Sequence, residues 1–264
     1  ISFEGGTAVN AVPGHASAVV RADAAALPVA KEIAIEAIEP AEAARLLAEA
    51  SGVEGACAAA GTGASLARIT ATGRSAHASL PEGGISAIGA LSGYLLENDL
   101  VEGAERDYFK VVADIAATTD GSAVGLACED ADFGALTIVA GLAATQGGRF
   151  TQTIDVRYPT SVTGDKLTEV LDALARTAGG SCVKTRDDVP FLVDPESPAI
   201  QALLTSYNQA TGENAEPFTM GGGTYAREFA CPAASFGPEK PWEQAPEWVG
   251  GMHGPDEGVS EQLL

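Results

Sequence analysis

The sequence predicts an α/β protein in which two similar strand–strand–helix–strand units precede a shorter α/β tail. Three observations carry this expectation. Apolar residues alternate at period two in several short runs, and they recur at i, i+3, i+4, i+7 in others. The two kinds of run also follow one another in the same order twice, which places helices on one face of a sheet.

The first unit opens with a strand near 16–22, then a strand-like "KEIAIEAI" and a helix over 41–51 carrying Ala43, Leu46, Leu47 and Ala50. Strand "LARITATG" (66–73) and a helix over 85–97 come next. Residues 100–117 read as a further helix and 118–134 as a loop. The second unit begins with "LTIVAGLAA" (136–144), whose continuous apolar run suits a buried strand. A turn at "TQGG" leads into "RFTQTIDVRY", where Phe150, Ile154, Val156 and Tyr158 share one face. A helix follows from about Asp165 to Ala178, with Leu167, Val170, Leu171 and Leu174 at helical spacing and Gly179-Gly180 at its end. "SCVKTR" reads as the third strand.

After Asp188 the character changes. Ser197 is placed as an N-cap and Pro198 at the first helical position, Ile200, Leu203, Leu204 and Tyr207 make an apolar stripe, and Gly212 closes the helix. Short strands and Gly-rich turns are expected beyond it. A tail of about 75 residues is too small for a comfortable core of its own, so it is expected to belong to a larger domain.

Composition narrows the function classes. The chain has 264 residues, 46% hydrophobic and 19% charged, as a globular protein does. Fifteen basic against 36 acidic residues give a net charge of −21, a field that repels phosphate backbones and anionic lipid. Nucleic acid and membrane are therefore not expected partners. Cys57, Cys128, Cys182 and Cys231 are far apart and form no CxxC pair, which fits reduced thiols in a cytoplasmic protein. No 18-residue apolar run and no signal peptide occur.

Three stretches can carry chemistry. In "TGRSAHASLPEGGISAI" (72–88), His77 sits in a turn of small residues that leaves its imidazole accessible. In "TMGGGTYAREF" (219–229), Gly222 and Gly223 allow a ligand to approach the main chain, and Arg227 can bind a carboxylate bidentately. In "GTAVNAVPG" (6–14), Asn10 offers a side-chain amide before an X-Pro turn. His253, in "GGMHGPDEG", has no local partner, and His15, in "VPGHASA", reads as a surface residue.

The succession "GGTAVNAVP", "GRSAHASLPEGG", "IDVRYP", "VPFLVDPESP", "GGGTYAR", "FGPEKPW" and "MHGPDE" resembles the dizinc aminoacylase/desuccinylase/carnosinase metallopeptidases, best the PepV-type dipeptidases. The resemblance spans nearly the whole chain. It implies a lid domain over 1–188, made of two similar subdomains (about 1–99 and 135–188), and the C-terminal part of a zinc-peptidase catalytic domain over 189–264. It also implies that His253 binds one zinc of a pair and that His77 reaches over the site to stabilise the tetrahedral oxyanion. Arg227 and Asn10, with Gly222 and Gly223 beside them, would hold the carboxylate of a small peptide substrate. Two departures are Ser86, where the family often has Asn, and Gly254, where a polar residue usually follows the histidine.

A paired-zinc site needs several further ligands, a bridging carboxylate and a general-base Glu. The His-x-Asp and Glu-Glu motifs that supply them in the family do not occur here. "ISFEGG" opens without an initiator Met, and Ser260 looks like the N-cap of a helix that does not continue. The expectation is a fragment whose missing partner is the N-terminal catalytic segment of the same protein. The leading reading is a zinc-dependent dipeptidase. The alternatives are an N-acyl-amino-acid deacylase or desuccinylase of the same family, and a non-catalytic module that binds a small acid.

Overall fold

Segments with period-two alternation assemble into one antiparallel sheet in the computed structural model, which describes residues 2–42, 45, 65–237, 240, 246, 248–250, 256–259 and 261. The strands are β1 (Ser2–Gly5), β2 (His15–Arg21), β3 (Ile33–Ala37), β4 (Leu66–Thr72), β5 (Glu129–Asp130), β6 (Gly134–Ala135), β7 (Thr137–Gln146) and β8 (Arg149–Arg157). Six of them form the sheet in the order β3-β4-β2-β1-β7-β8, and β5 and β6 make a separate small ladder. The fold is mixed α and β, as the sequence predicts.

Alternation decides which face is covered. Phe3, Ala16, Ala18, Val20, Ala67, Ile69 and Ala71 share one face and are buried against Ile88, Leu91 and Leu95 of α1 (Ala87–Glu97) and Phe109 and Val112 of α2 (Gly103–Ala116). The Phe3 ring meets that of Phe109 edge-on at 4.9 Å. Full burial of each such large side chain contributes about 1.5–3 kcal/mol. Further along, Leu167 and Leu171 of α3 (Gly164–Thr177) pack with Ile138 and Ala140 of β7. All three helices therefore lie on the same face.

Helix starts follow local chemistry. Ser86 Oγ accepts the Gly89 N–H at 3.1 Å and so caps α1, as serine does well. Thr163 caps α3 through the Lys166 N–H.

The N-terminal strands join the β7–β8 pair where β1 meets β7, with Gly5 opposite Ala143. Thr145 Oγ1 there accepts from the Phe3 N–H and donates to the Phe3 carbonyl, both at 2.9 Å, so a side chain replaces a ladder step. A bulge between Ala140 and Ala143 interrupts the β7–β8 ladder. Gly141 lies in it, and any Cβ there would come within 2.3 Å of the Val9 carbonyl oxygen. The bulge thus lets the 6–14 loop press onto the uncovered face of the sheet.

Several expectations change. "SCVKTR" is not a strand: the Cys182 N–H donates to Asp172 of α3 at 2.9 Å, and Lys184 Nζ reaches Asp165 at 2.5 Å and Asp187 at 2.7 Å. Helix carboxylates capture this segment, and β8 is left an edge strand. The expected loop over 118–134 contains a 3-10 turn at Ser122–Val124 and the β5–β6 ladder. The helix expected over 41–51 lies mostly outside the described residues.

In the tail, α4 (Pro198–Thr211) forms as expected, and Gly212 ends it at φ +75°. Its apolar stripe is not buried, with Leu203 at 42% exposure. Among the described residues after Gly212 there is no strand; a 3-10 turn spans Tyr225–Glu228 and an isolated bridge joins Gly250 and Glu257. No helix among the described residues is long and apolar enough to cross a membrane.

Candidate functional site

The uncovered face of the sheet carries two loops, one joining β1 to β2 and one joining β4 to α1. They pair with each other. The Val12 N–H donates to the Ala76 carbonyl at 2.8 Å, the Ala78 N–H donates to the Asn10 carbonyl at 2.9 Å, and Ala11 bridges His77. Val12, Ala78 and Val139 form a small apolar cluster beneath, and Thr137 Oγ1 donates to the Ala78 carbonyl at 2.7 Å. Asn10 and His77, 67 positions apart in the chain, are therefore held in adjacent backbone rungs.

His77 is half-buried. Its Nδ1 lies 2.7 Å from Ser79 Oγ and accepts the Ser79 N–H at 3.3 Å. The glycine loop reaches the same place from the tail, since a Cβ on Gly221 would lie 2.9 Å from that of Ser79. Arg157, at the end of β8, donates Nη1 to the Gly221 carbonyl at 2.9 Å. Its other edge is held by Asp155 in a two-point pair of 2.6 and 3.0 Å.

Gly222, Gly223, Arg227 and Asn10 line a broad groove of about 1780 Å³ that runs along β8. Arg227 is exposed. Its Nη1 donates to the Val189 carbonyl at 2.7 Å, and its guanidinium carbon lies 5.0 Å from the Phe191 ring centroid. Five N–H donors on a planar fork leave such a group able to take a carboxylate as well. The structure thus places His77 beside Asn10, and Arg227 with Gly222 and Gly223 on the groove wall.

The 181–188 segment also lines this groove. The ion pair with Lys184 and the Tyr158 hydroxyl hold the Asp187 carboxyl below the usual carboxylate range. Burial, then the hydrogen bond to Asp187, pushes the Tyr158 phenol up to about 12. Burial also raises the Cys182 thiol, so it is not an activated nucleophile.

His253 lies outside the described residues, and His15 stands exposed at the start of β2. Among the described residues no group of three His, Cys, Asp or Glu side chains converges as a metal site would require. The described residues alone therefore do not fit a zinc site. Three residues of the arrangement escaped the sequence reading: Ser79, and Arg157 with its partner Asp155. Asp-x-Arg at i, i+2 on a strand puts both side chains on one face, a signal present in "IDVRYP".

No protein-family model matches the chain. It is similar to the protein named "Putative dipeptidase YtjP" of Bacillus subtilis, with 29% identity over 168 residues, 63% of this chain and 35% of that protein. "Putative dipeptidase SSP1012" of Staphylococcus saprophyticus is 32% identical over 83 residues, 31% of this chain and 17% of that protein. "Putative dipeptidase SH1171" of Staphylococcus haemolyticus is 34% identical over 84 residues, 32% of this chain and 18% of that protein. The chain thus matches about a third or less of the length of these relatives.

Proposed function

We propose that this chain is the lid and part of the catalytic domain of a dipeptidase that takes short peptides with a free C-terminal carboxylate. The observation that carries the reading is the pairing of the 10–12 and 76–78 loops, which sets Asn10 beside His77 on the face reached by the glycine loop. Similarity to proteins named as dipeptidases supports the same class.

In this reading each residue has one task. Arg227 and Asn10 hold the substrate carboxylate, which sets the distance to the scissile bond. Gly222 and Gly223 let the substrate backbone approach closely. The His77 ring donates a hydrogen bond to the oxyanion that develops on the peptide carbonyl. Zinc and the His253 ligand role belong to the proposal through the family resemblance alone. The His-x-Asp and Glu-Glu motifs that supply the other ligands in that family do not occur in these 264 residues, so in this reading further ligands come from outside them.

Calorimetry and a peptidase assay test the reading together. The 264-residue chain should bind zinc weakly and hydrolyse no dipeptide, whereas the full-length enzyme should cleave dipeptides faster than N-acyl amino acids. Tight stoichiometric zinc binding by the isolated chain would refute the fragment assignment. Preference for N-acyl amino acids would move the enzyme to the deacylases.

A further inference from the structure

We infer that Ser79 is a positioning residue that fixes the neutral tautomer of His77, with the ring proton on Nε2. This rests on the reading of His77 as the oxyanion donor and adds how that donor is prepared.

Two contacts define the tautomer. A backbone N–H can only donate, so the ring nitrogen that accepts from the Ser79 N–H must present a lone pair. That nitrogen is Nδ1. Ser79 Oγ lies closer, at 2.7 Å, and its hydroxyl can turn its proton toward the same lone pair. Both contacts stabilise an unprotonated Nδ1, and the neutral ring then carries its proton on Nε2. A hydroxyl without the backbone donor would be ambiguous, because it can give or take. The N–H removes the ambiguity, and the hydroxyl supplies the shorter bond.

The serine is itself held. Ser79 is half-buried, its neighbour Ala78 is 1% exposed, and the Ala78 carbonyl is tied to Thr137 on β7. Gly221 packs against the Ser79 Cβ, and Arg157 grips the Gly221 carbonyl. The chain Asp155–Arg157–Gly221–Ser79–His77 runs from the rigid sheet through the glycine loop to the imidazole. Removing an outer partner that orients a functional histidine typically costs about 10–100-fold in activity.

The test is ¹⁵N NMR of the histidine rings in the 264-residue chain, with assay of the same variants in the full-length enzyme. Wild type should show His77 with a non-protonated Nδ1 and a protonated Nε2. Ser79→Ala should move both ring nitrogens toward a mixture of tautomers, and Ser79→Cys, a weaker donor, should fall between. In the full-length enzyme Ser79→Ala should lower kcat by roughly 10–100-fold with KM little changed. A protonated Nδ1 in wild type, or ring shifts that ignore Ser79→Ala, would overturn the inference. If the ring shifts respond as stated but His77→Ala leaves hydrolysis intact, the positioning stands and the oxyanion reading of His77 falls.

Discussion

Arg157 donates to the carbonyl of Gly221 at 2.9 Å across 64 positions of sequence, with Asp155 fixing the guanidinium from behind. This contact ties the glycine loop of the tail to the last strand of the sheet. A charged donor on a backbone carbonyl is worth more than a neutral one, though partial exposure of Arg157 reduces it. Arg157→Ala should therefore speed amide exchange in residues 219–223 by roughly 10-fold and leave α1 unaffected. Unchanged exchange in that loop would show that Gly221 is held by something else.

His77 is expected to act in the transition state. His77→Ala in the full-length enzyme should lower kcat by roughly 10²–10³-fold at nearly constant KM, as loss of one oxyanion donor does. Steady-state kinetics decide it. A raised KM at unchanged kcat would assign the ring to ground-state binding.

Arg227 should discriminate among substrates by their C-terminus. Its removal should cost about 10- to 150-fold on free dipeptides and very little on their amides, because only the former offer a carboxylate to the fork. Arg227→Lys should recover part of the loss, since charge survives but bidentate geometry does not. Equal rates for free and amidated dipeptides in wild type would give Arg227 another role.

The core beneath the site should behave as a packed interior. Leu91 is fully buried between α1 and the sheet, so Leu91→Ala should destabilise the fold by about 2–5 kcal/mol in chemical denaturation. A loss under 1 kcal/mol would mean that this helix does not pack as described.

The 181–188 segment should respond to pH at both ends of the scale. Asp187 is held below its ordinary range by Lys184, so its contribution is present above the usual carboxylate pKa and disappears as pH falls through the lowered value. Lys184 is raised by its bonds to Asp165 and Asp187, so its share is complete below the ordinary lysine pKa and is lost as pH rises through the raised one. Tyr158, pushed up to about 12 by burial, favours the fold until pH passes its ordinary value of 10 and loses that share by about 12. The protection of the Cys182 amide, its exchange rate compared with the intrinsic rate at each pH, should therefore be greatest near neutrality and fall in acid. Acid-insensitive protection would show that these carboxylates do not hold the segment.

Much of the fold could be read from periodicity, because burial of one face imposes a two-residue or 3.6-residue spacing on each element. The strands β2, β4, β7 and β8 and the helices α1, α3 and α4 lie within a few residues of their expected bounds. "SCVKTR" misled for a physical reason. Its alternation suits a strand, but Asp172, Asp165 and Asp187 satisfy its donors instead of β8. Alternation reports which side chains share a face and says nothing about where the backbone donors find acceptors.

The site divides in the same way. A histidine in a turn of small residues, a run of glycines and an arginine able to take a carboxylate are legible as residue types in local context, because turn geometry and side-chain chemistry are local properties. Their assembly is not. The rung that joins Ala11 to His77, the seat of Gly221 on Ser79 and the Arg157 tether all link segments dozens of residues apart. Only the tertiary structure decides them, since long-range pairing depends on which loops the sheet brings together and not on the spacing within either one.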